Sequence, residues 1–341
     1  MFLRSNFSVV YHQLLEDLIQ LEVPTETWAD CNNCQHCFQE DSLRSLTKCC
    51  DYTPSIPNYV VGSILLDKST EYKEGRKRIL NTIQNRLGVT PFGVLPPTEY
   101  QKRFSSSRVK GNAVTKNDIA NLKCPYLDGG NCTLYKYRTD LCGFYHCNSV
   151  ALDTGKAFWR KAHILNTFLD KSLSIYIAKR MGFDASKHDA QLKKLSTQVE
   201  NEDGTLNNLK YKQVWSVWKG KEIDYYLECA RVFQSTDVEK LKLILGKELE
   251  KKQLELHQLS GEFFANKVPE FLHFNQEAWD NYKLNKSQED YNYSTLEHLI
   301  LQLFDGKRET AAVVEKAKKS ILNLMPLLNN SIRSGILEEN K

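Results

Sequence analysis

Cys124-Pro-Tyr-Leu-Asp-Gly-Gly-Asn-Cys132-Thr-Leu-Tyr-Lys-Tyr-Arg138-Thr-Asp-Leu-Cys142-Gly-Phe-Tyr-His-Cys147 is the stretch on which the reading of this chain turns. Gly129 and Gly130 supply a reversal that carries Cys132 back toward Cys124. An earlier stretch, Cys31-Asn-Asn-Cys34-Gln-His-Cys37, spaces three thiols so that a tight loop turns them toward one point. Cys49 and Cys50 follow as neighbours whose side chains diverge in extended chain, so the pair suits two adjacent metals better than one. Nine of the ten cysteines precede residue 150, a clustering that points to metal ligation.

The rest of the 341-residue chain bounds that reading. The N-terminus has no basic segment leading into an apolar one, and no run is long enough to span a bilayer, so the chain reads as cytoplasmic with no membrane partner. Thiols are kept reduced there, which favours metal or redox chemistry over disulfides. A chain of this length does not need metal merely to build a core. The net charge of +4 is small, but residues 68–123 carry twelve Lys and Arg against four acids. That segment reads either as a solvated helix face or as the meeting place of an anionic partner.

The expected fold is mainly α: an irregular cysteine-rich metal-binding module over 1–150, followed by a helical domain over 151–341. Apolar spacing predicts helices over 8–22, 59–66, 71–87, 157–181, 211–233, 237–259 and 309–334. Pro, Gly and Ser predict irregular chain over 88–133, and polar connections are expected at 187–209 and 265–295. Cys229, in the apolar context Tyr225-Tyr-Leu-Glu-Cys229, reads as a core residue.

His36 and His146, each one residue before a cysteine, are possible substitutes for a thiolate, while His163 reads as structural or exposed. Asp128 and Asp140 read as turn-capping residues. Arg138 lies one helical turn before Cys142, where it either donates to a cluster sulfur or an anionic ligand, or stays exposed. Tyr126, Tyr135, Tyr137 and Tyr145 suit packing around a metal core as well as base stacking, and nucleic acid is not the expected partner. Phosphate-loop, nucleophile-elbow and metalloprotease signatures are absent from the sequence.

The cysteine pattern resembles that of the zinc- or iron-chelating cysteine-cluster family, to which flagellin lysine N-methylases belong. The resemblance covers roughly residues 28–150. It rests on Cys31, Cys34, Cys49 and Cys50, then Cys124-Pro-Tyr-Leu127, Cys132-Thr-Leu-Tyr135, Arg138, Cys142 and Cys147. The chain departs from it in the longer spacing before Cys49-Cys50 and in Thr139, where many members carry Pro. The resemblance implies a metal site whose ligands are Cys31, Cys34, Cys49, Cys50, Cys124, Cys132, Cys142 and Cys147, enough for two four-thiolate centres, with Cys37 left over. An iron-sulfur cluster is the first expectation and zinc the alternative. The methylase members would further imply S-adenosylmethionine and a protein substrate, with whether the chain is an enzyme left open. A third reading is a structural zinc module that presents the helices to a protein partner. On any of these, Cys124 and Cys142 are expected close to Cys31 and Cys34.

Overall fold

The computed structural model describes residues 1–27, 50–110, 122–183, 199–285, 287, 290–317, 320, 321 and 324–340, and the chain is mainly helical. In chain order the helices are α1 (Glu16–Ile19), α2 (Asn58–Leu66), α3 (Lys73–Asn85), α4 (Thr98–Lys110), α5 (Leu152–Arg180), α6 (Asn208–Trp215), α7 (Glu222–Ser235), α8 (Val238–Ala265), α9 (Gln276–Asn285), α10 (Thr295–Leu301), α11 (Thr310–Ala317) and α12 (Leu324–Arg333). The strands are short: β1 (Ile56–Pro57), β2 (Val89–Thr90), β3 (Gly93–Val94), β4 (Leu127–Asp128), β5 (Asn131–Cys132), β6 (Phe271–Phe274), β7 (Asp305–Glu309) and β8 (Leu337–Glu339).

Helix α5 organises the packing because Phe158, Ala162, Leu165, Leu169, Leu173 and Ile177 form an apolar stripe at three- and four-residue steps. Lys179 and Arg180 sit at its negative end, and Gly182 takes the left-handed turn that lets Gly182 and Phe183 donate back to Lys179 and Ala178. Helix α8 lies along α5, and α2 crosses α7. That crossing depends on Gly62: a Cβ there would stand 1.8 Å from the Tyr226 carbonyl oxygen. Most buried apolar side chains, from Leu3 to Leu337, belong to one cluster that runs across residue 150 without a break. No helix among the described residues is long and apolar enough to cross a membrane.

Helices form where the apolar period is sustained, at Asn58–Leu66, Lys73–Asn85, Leu152–Arg180 and Val238–Ala265. Elsewhere the period is interrupted. Over 8–22 it yields a 3-10 turn at Val9–Tyr11 and the single turn α1, although Tyr11, Leu14, Leu15, Leu18 and Ile19 are all buried as helical spacing requires. The 211–233 helix divides at Gly220 (φ +83), and α8 bends at Gly246, where φ is +60. The expected 309–334 helix is two, α11 and α12.

The stretch 88–133, expected to be irregular, contains α4 and two pieces of antiparallel sheet. Helix α4 is started by a distant residue: Glu200 accepts from the N–H groups of Thr98 (2.8 Å) and Gly88 (2.9 Å). Glu200 is only 2% exposed, although its polar neighbours suggested an open connection. Four residues apart, Arg103 and Glu99 add a 2.7 Å ion pair. Strand β3 pairs with both β1 and β2, and β4 pairs with β5 across the Gly129-Gly130 turn. Both glycines have positive φ, as a two-residue hairpin of this hand requires. A further sheet, ordered β7-β6-β8, occupies the C-terminal region, where no strands were expected.

Candidate functional site

Helix α3 holds the hairpin that carries two of the thiols. A Cβ on buried Gly75 would lie 2.3 Å from the Thr133 carbonyl oxygen, so the helix backbone packs directly on the hairpin. One turn on, Arg78 donates to the carbonyls of Pro125 (2.8 Å) and Leu127 (3.0 Å), and it pairs with Asp128 at 3.1 Å and Glu74 at 2.9 Å. In this clamped loop the Leu127 N–H donates to the Cys124 carbonyl at 3.1 Å, and the Tyr126 and Leu127 amides oppose the rise of the Cys124 thiol as the Leu134 amide opposes that of Cys132. Asp128, expected to cap backbone amides, is the exposed partner of Arg78.

Two further thiols come to the same place. The Cys124 N–H donates to the Cys50 carbonyl at 2.8 Å, and Cys142 lies in the 3-10 turn Asp140–Gly143. Cys142 is within electrostatic reach of Cys124, Cys132 and Cys50. Burial, then these neighbours, holds its thiol well above the ordinary value. Burial, reinforced by Cys50 and Cys132 against the Tyr126 N–H, pushes Cys124 up to about 12. Burial also raises Cys132, opposed by the Leu134 N–H and by the nearby charge of Arg138. Buried thiols that raise one another ionise together only beside a cation, because a bound metal inverts the local electrostatics.

The donor chemistry therefore fits a thiophilic metal. Among the described residues, however, no three His, Cys, Asp or Glu side chains are arranged to hold one ion, and none of the cysteines is in a disulfide. Cys31, Cys34, Cys37, Cys49 and His36 lie outside the described residues, and so does the expected approach of Cys124 and Cys142 to Cys31 and Cys34.

Arg138 acts as a brace. It donates to the carbonyls of Ser5 (2.8 Å) and Tyr135 (3.1 Å), makes a longer contact with that of Cys142 (3.4 Å), and lies over the Tyr135 ring. The His146 ring lies tilted by 36° against Trp159, centroids 4.3 Å apart, with a buried Nε2 that has no hydrogen-bond partner among the described residues. Burial, with the Arg138 charge, takes its pKa down to about 4. Cys147 is half-buried beside it. Tyr126 and Tyr137 are buried in the core, whereas Tyr135 and Tyr145 are exposed. Cys229 is fully buried in α7, as its apolar context predicts.

Beside Cys142 lies a polar network that sequence reasoning missed. His163, Asn166 and Asp170 project from one side of α5. Asp170 accepts from the Tyr11 hydroxyl, from Asn166 Nδ2 at 2.9 Å and from the Asp140 N–H at 3.0 Å. The Tyr59 hydroxyl stands 2.5 Å behind that of Tyr11. Asp140 does not cap amides as expected: its carboxylate accepts from Tyr52 and from His163 Nε2 at 2.9 Å. The signal was present in the sequence as three polar side chains at i, i+3 and i+7 on an otherwise apolar helix face.

Comparison of the chain with known protein families, curated proteins and solved structures returns no match. The resemblance to the chelating family thus stands on the cysteine pattern.

Proposed function

We propose that this chain is a thiolate metal-binding protein, in the first instance an iron-sulfur protein, whose metal is held in the cysteine-rich N-terminal module. Cys50, Cys124, Cys132 and Cys142 serve as ligands together with Cys31, Cys34, Cys49 and Cys147. The observation that carries this reading is the gathering of Cys50, Cys124, Cys132 and Cys142 within electrostatic reach of one another, with the Cys124 N–H on the Cys50 carbonyl and backbone amides beside the Cys124 and Cys132 thiols. Amides so placed favour the thiolate, which is the ligating form. Cys229 lies instead beside the Tyr225 hydroxyl, which itself donates to the Pro91 carbonyl at 2.6 Å, and no other cysteine among the described residues shifts its thiol.

A bound iron-sulfur cluster supplies one-electron transfer, whereas zinc supplies a structural tie. The chain's own contribution is placement. Arg78 and Gly75 fix the hairpin, Arg138 sets a positive charge near Cys132, and the Tyr126, Leu127 and Leu134 amides favour the thiolate forms.

Anaerobic purification with quantification of iron, zinc and acid-labile sulfide tests the proposal. A brown protein with stoichiometric iron and sulfide is expected. A colourless protein with stoichiometric zinc replaces the cluster by a structural zinc module, and a protein without either metal overturns thiolate ligation altogether.

A further inference from the structure

Asp140 has a left-handed backbone, with φ at +53. This conformation is costly for a residue with a side chain and persists where the surroundings fix it. Here they do so from several directions. The Asp140 N–H donates to Asp170, and its carboxylate accepts from His163 and Tyr52. The preceding Thr139 hydroxyl donates to the Ser55 carbonyl at 2.7 Å. The turn that springs from this anchor carries Cys142, whose N–H returns to the Thr139 carbonyl at 3.2 Å.

Asp170 is itself held from behind. Tyr11 and Asn166 donate to it, and Tyr59 backs Tyr11. Asn166 is completely buried, and its amide serves the carboxylate while its Oδ1 is left without a hydrogen-bond partner among the described residues. A buried acceptor left unsatisfied is unfavourable, so the orientation of this amide is set by the need to satisfy Asp170.

We infer that Asp170, assisted by His163, is a positioning residue for Cys142: from the long helix it fixes the left-handed Asp140 and so aims the Cys142 thiol toward Cys124 and Cys132. Its consequence for metal retention rests on the thiolate-metal reading, whereas the positioning itself does not.

Asp170→Asn keeps the volume but replaces one acceptor oxygen with a donor, which must face either the Tyr11 hydroxyl on one side or the Asn166 amide and the Asp140 N–H on the other. His163→Gln, at a partly exposed site, is the milder companion should Asp170→Asn fail to fold. Glu222→Gln is the control, since Glu222 is also buried but bonds Tyr211 and Gly220 in another part of the chain. The readout is the alkylation rate of each cysteine in the metal-free full-length protein, resolved by mass spectrometry, with far-UV circular dichroism to follow the fold.

Asp170→Asn is expected to speed alkylation of Cys142 about tenfold relative to Cys124, with helical content retained, as a released turn opens more often. His163→Gln should show the same selectivity more weakly, and Glu222→Gln none. In metal competition against a chromophoric chelator, Asp170→Asn should bind about ten- to a hundredfold more weakly, the usual loss when ligand-orienting contacts are removed. An unchanged ratio of Cys142 to Cys124 alkylation in both variants overturns the inference, and so does an equal rise at every cysteine. A wild-type chain that takes up no metal while Cys142 responds selectively overturns the metal reading alone.

Discussion

Cys124 and Cys229 have similar thiols in regions built by different rules. Both are buried and both are pushed up to about 12, chiefly by burial. Around Cys229 the order comes from an apolar helix face, where Tyr225, Tyr226 and Phe233 are buried with it on α7. Around Cys124 little comes from periodicity. A guanidinium, a glycine and a two-residue turn hold the loop, with backbone amides and other thiols near the sulfur. Burial and acidity alone thus fail to separate a proposed ligand from a core residue, whereas the groups gathered around each thiol differ.

The largest expected effect follows from that contrast. Cys124→Ser should abolish metal retention and open the cysteine-rich region to limited proteolysis, since a structural thiolate site contributes on the order of 10 kcal/mol. Cys229→Ala should leave metal content unchanged. Equal metal loss in the two variants would erase the distinction.

Within the periodic region, the helix crossing at Gly62 is the most sensitive point. Gly62→Ala sets a methyl group against the Tyr226 backbone and should cost about 3 kcal/mol in urea unfolding, the upper range for overpacking. A loss below about 0.5 kcal/mol would mean that the two helices separate easily. Arg78→Ala should act in the opposite region, lowering metal affinity about tenfold while leaving most helical signal in place. Chelator competition and circular dichroism on the same sample check both halves of that expectation.

A smaller effect concerns the junction between the regions. Burial lifts the Asp170 carboxyl to about 7, against the bonds from Tyr11 and the Asp140 N–H. The folded value lies above an unfolded carboxyl's value of about 3.9, so the native state holds the proton more tightly. The resulting contribution to stability is complete below the unfolded value and is lost as pH rises through about 7. The urea midpoint should therefore fall between about pH 4 and about pH 7, and Asp170→Asn should flatten the fall. Tyr11, Tyr59, Asp140 and His163, which face the carboxyl, are the same in both proteins. Identical slopes would remove Asp170 as the source.

The same contrast explains what the sequence revealed. Helices α2, α3, α5 and α8 were legible because each buries an apolar face with a regular period, and the β4–β5 reversal was legible in Gly129-Gly130. The start of α4 was not, because Glu200, about a hundred residues away along the chain, supplies its cap. The three-stranded C-terminal sheet was hidden for a similar reason: its short strands are paired across long stretches of chain and lack a clear alternating pattern. At the site, the cysteine spacing announced the thiol chemistry, but the supporting atoms lay in segments with other apparent roles. Arg78 belonged to a basic run, and His163, Asn166 and Asp170 interrupted an apolar helix. Their meaning depends on which segments α3 and α5 meet, and that is a tertiary fact.

X-ray absorption at the edge of the bound metal, on protein purified without oxygen, tests the central claim most directly. Thiolate ligation predicts a first shell of sulfur at about 2.3 Å in the wild type, and loss of the bound metal in the Cys124→Ser, Cys142→Ser double variant. A first shell of nitrogen or oxygen at about 2.0–2.1 Å, or metal retained undiminished in the double variant, would contradict it.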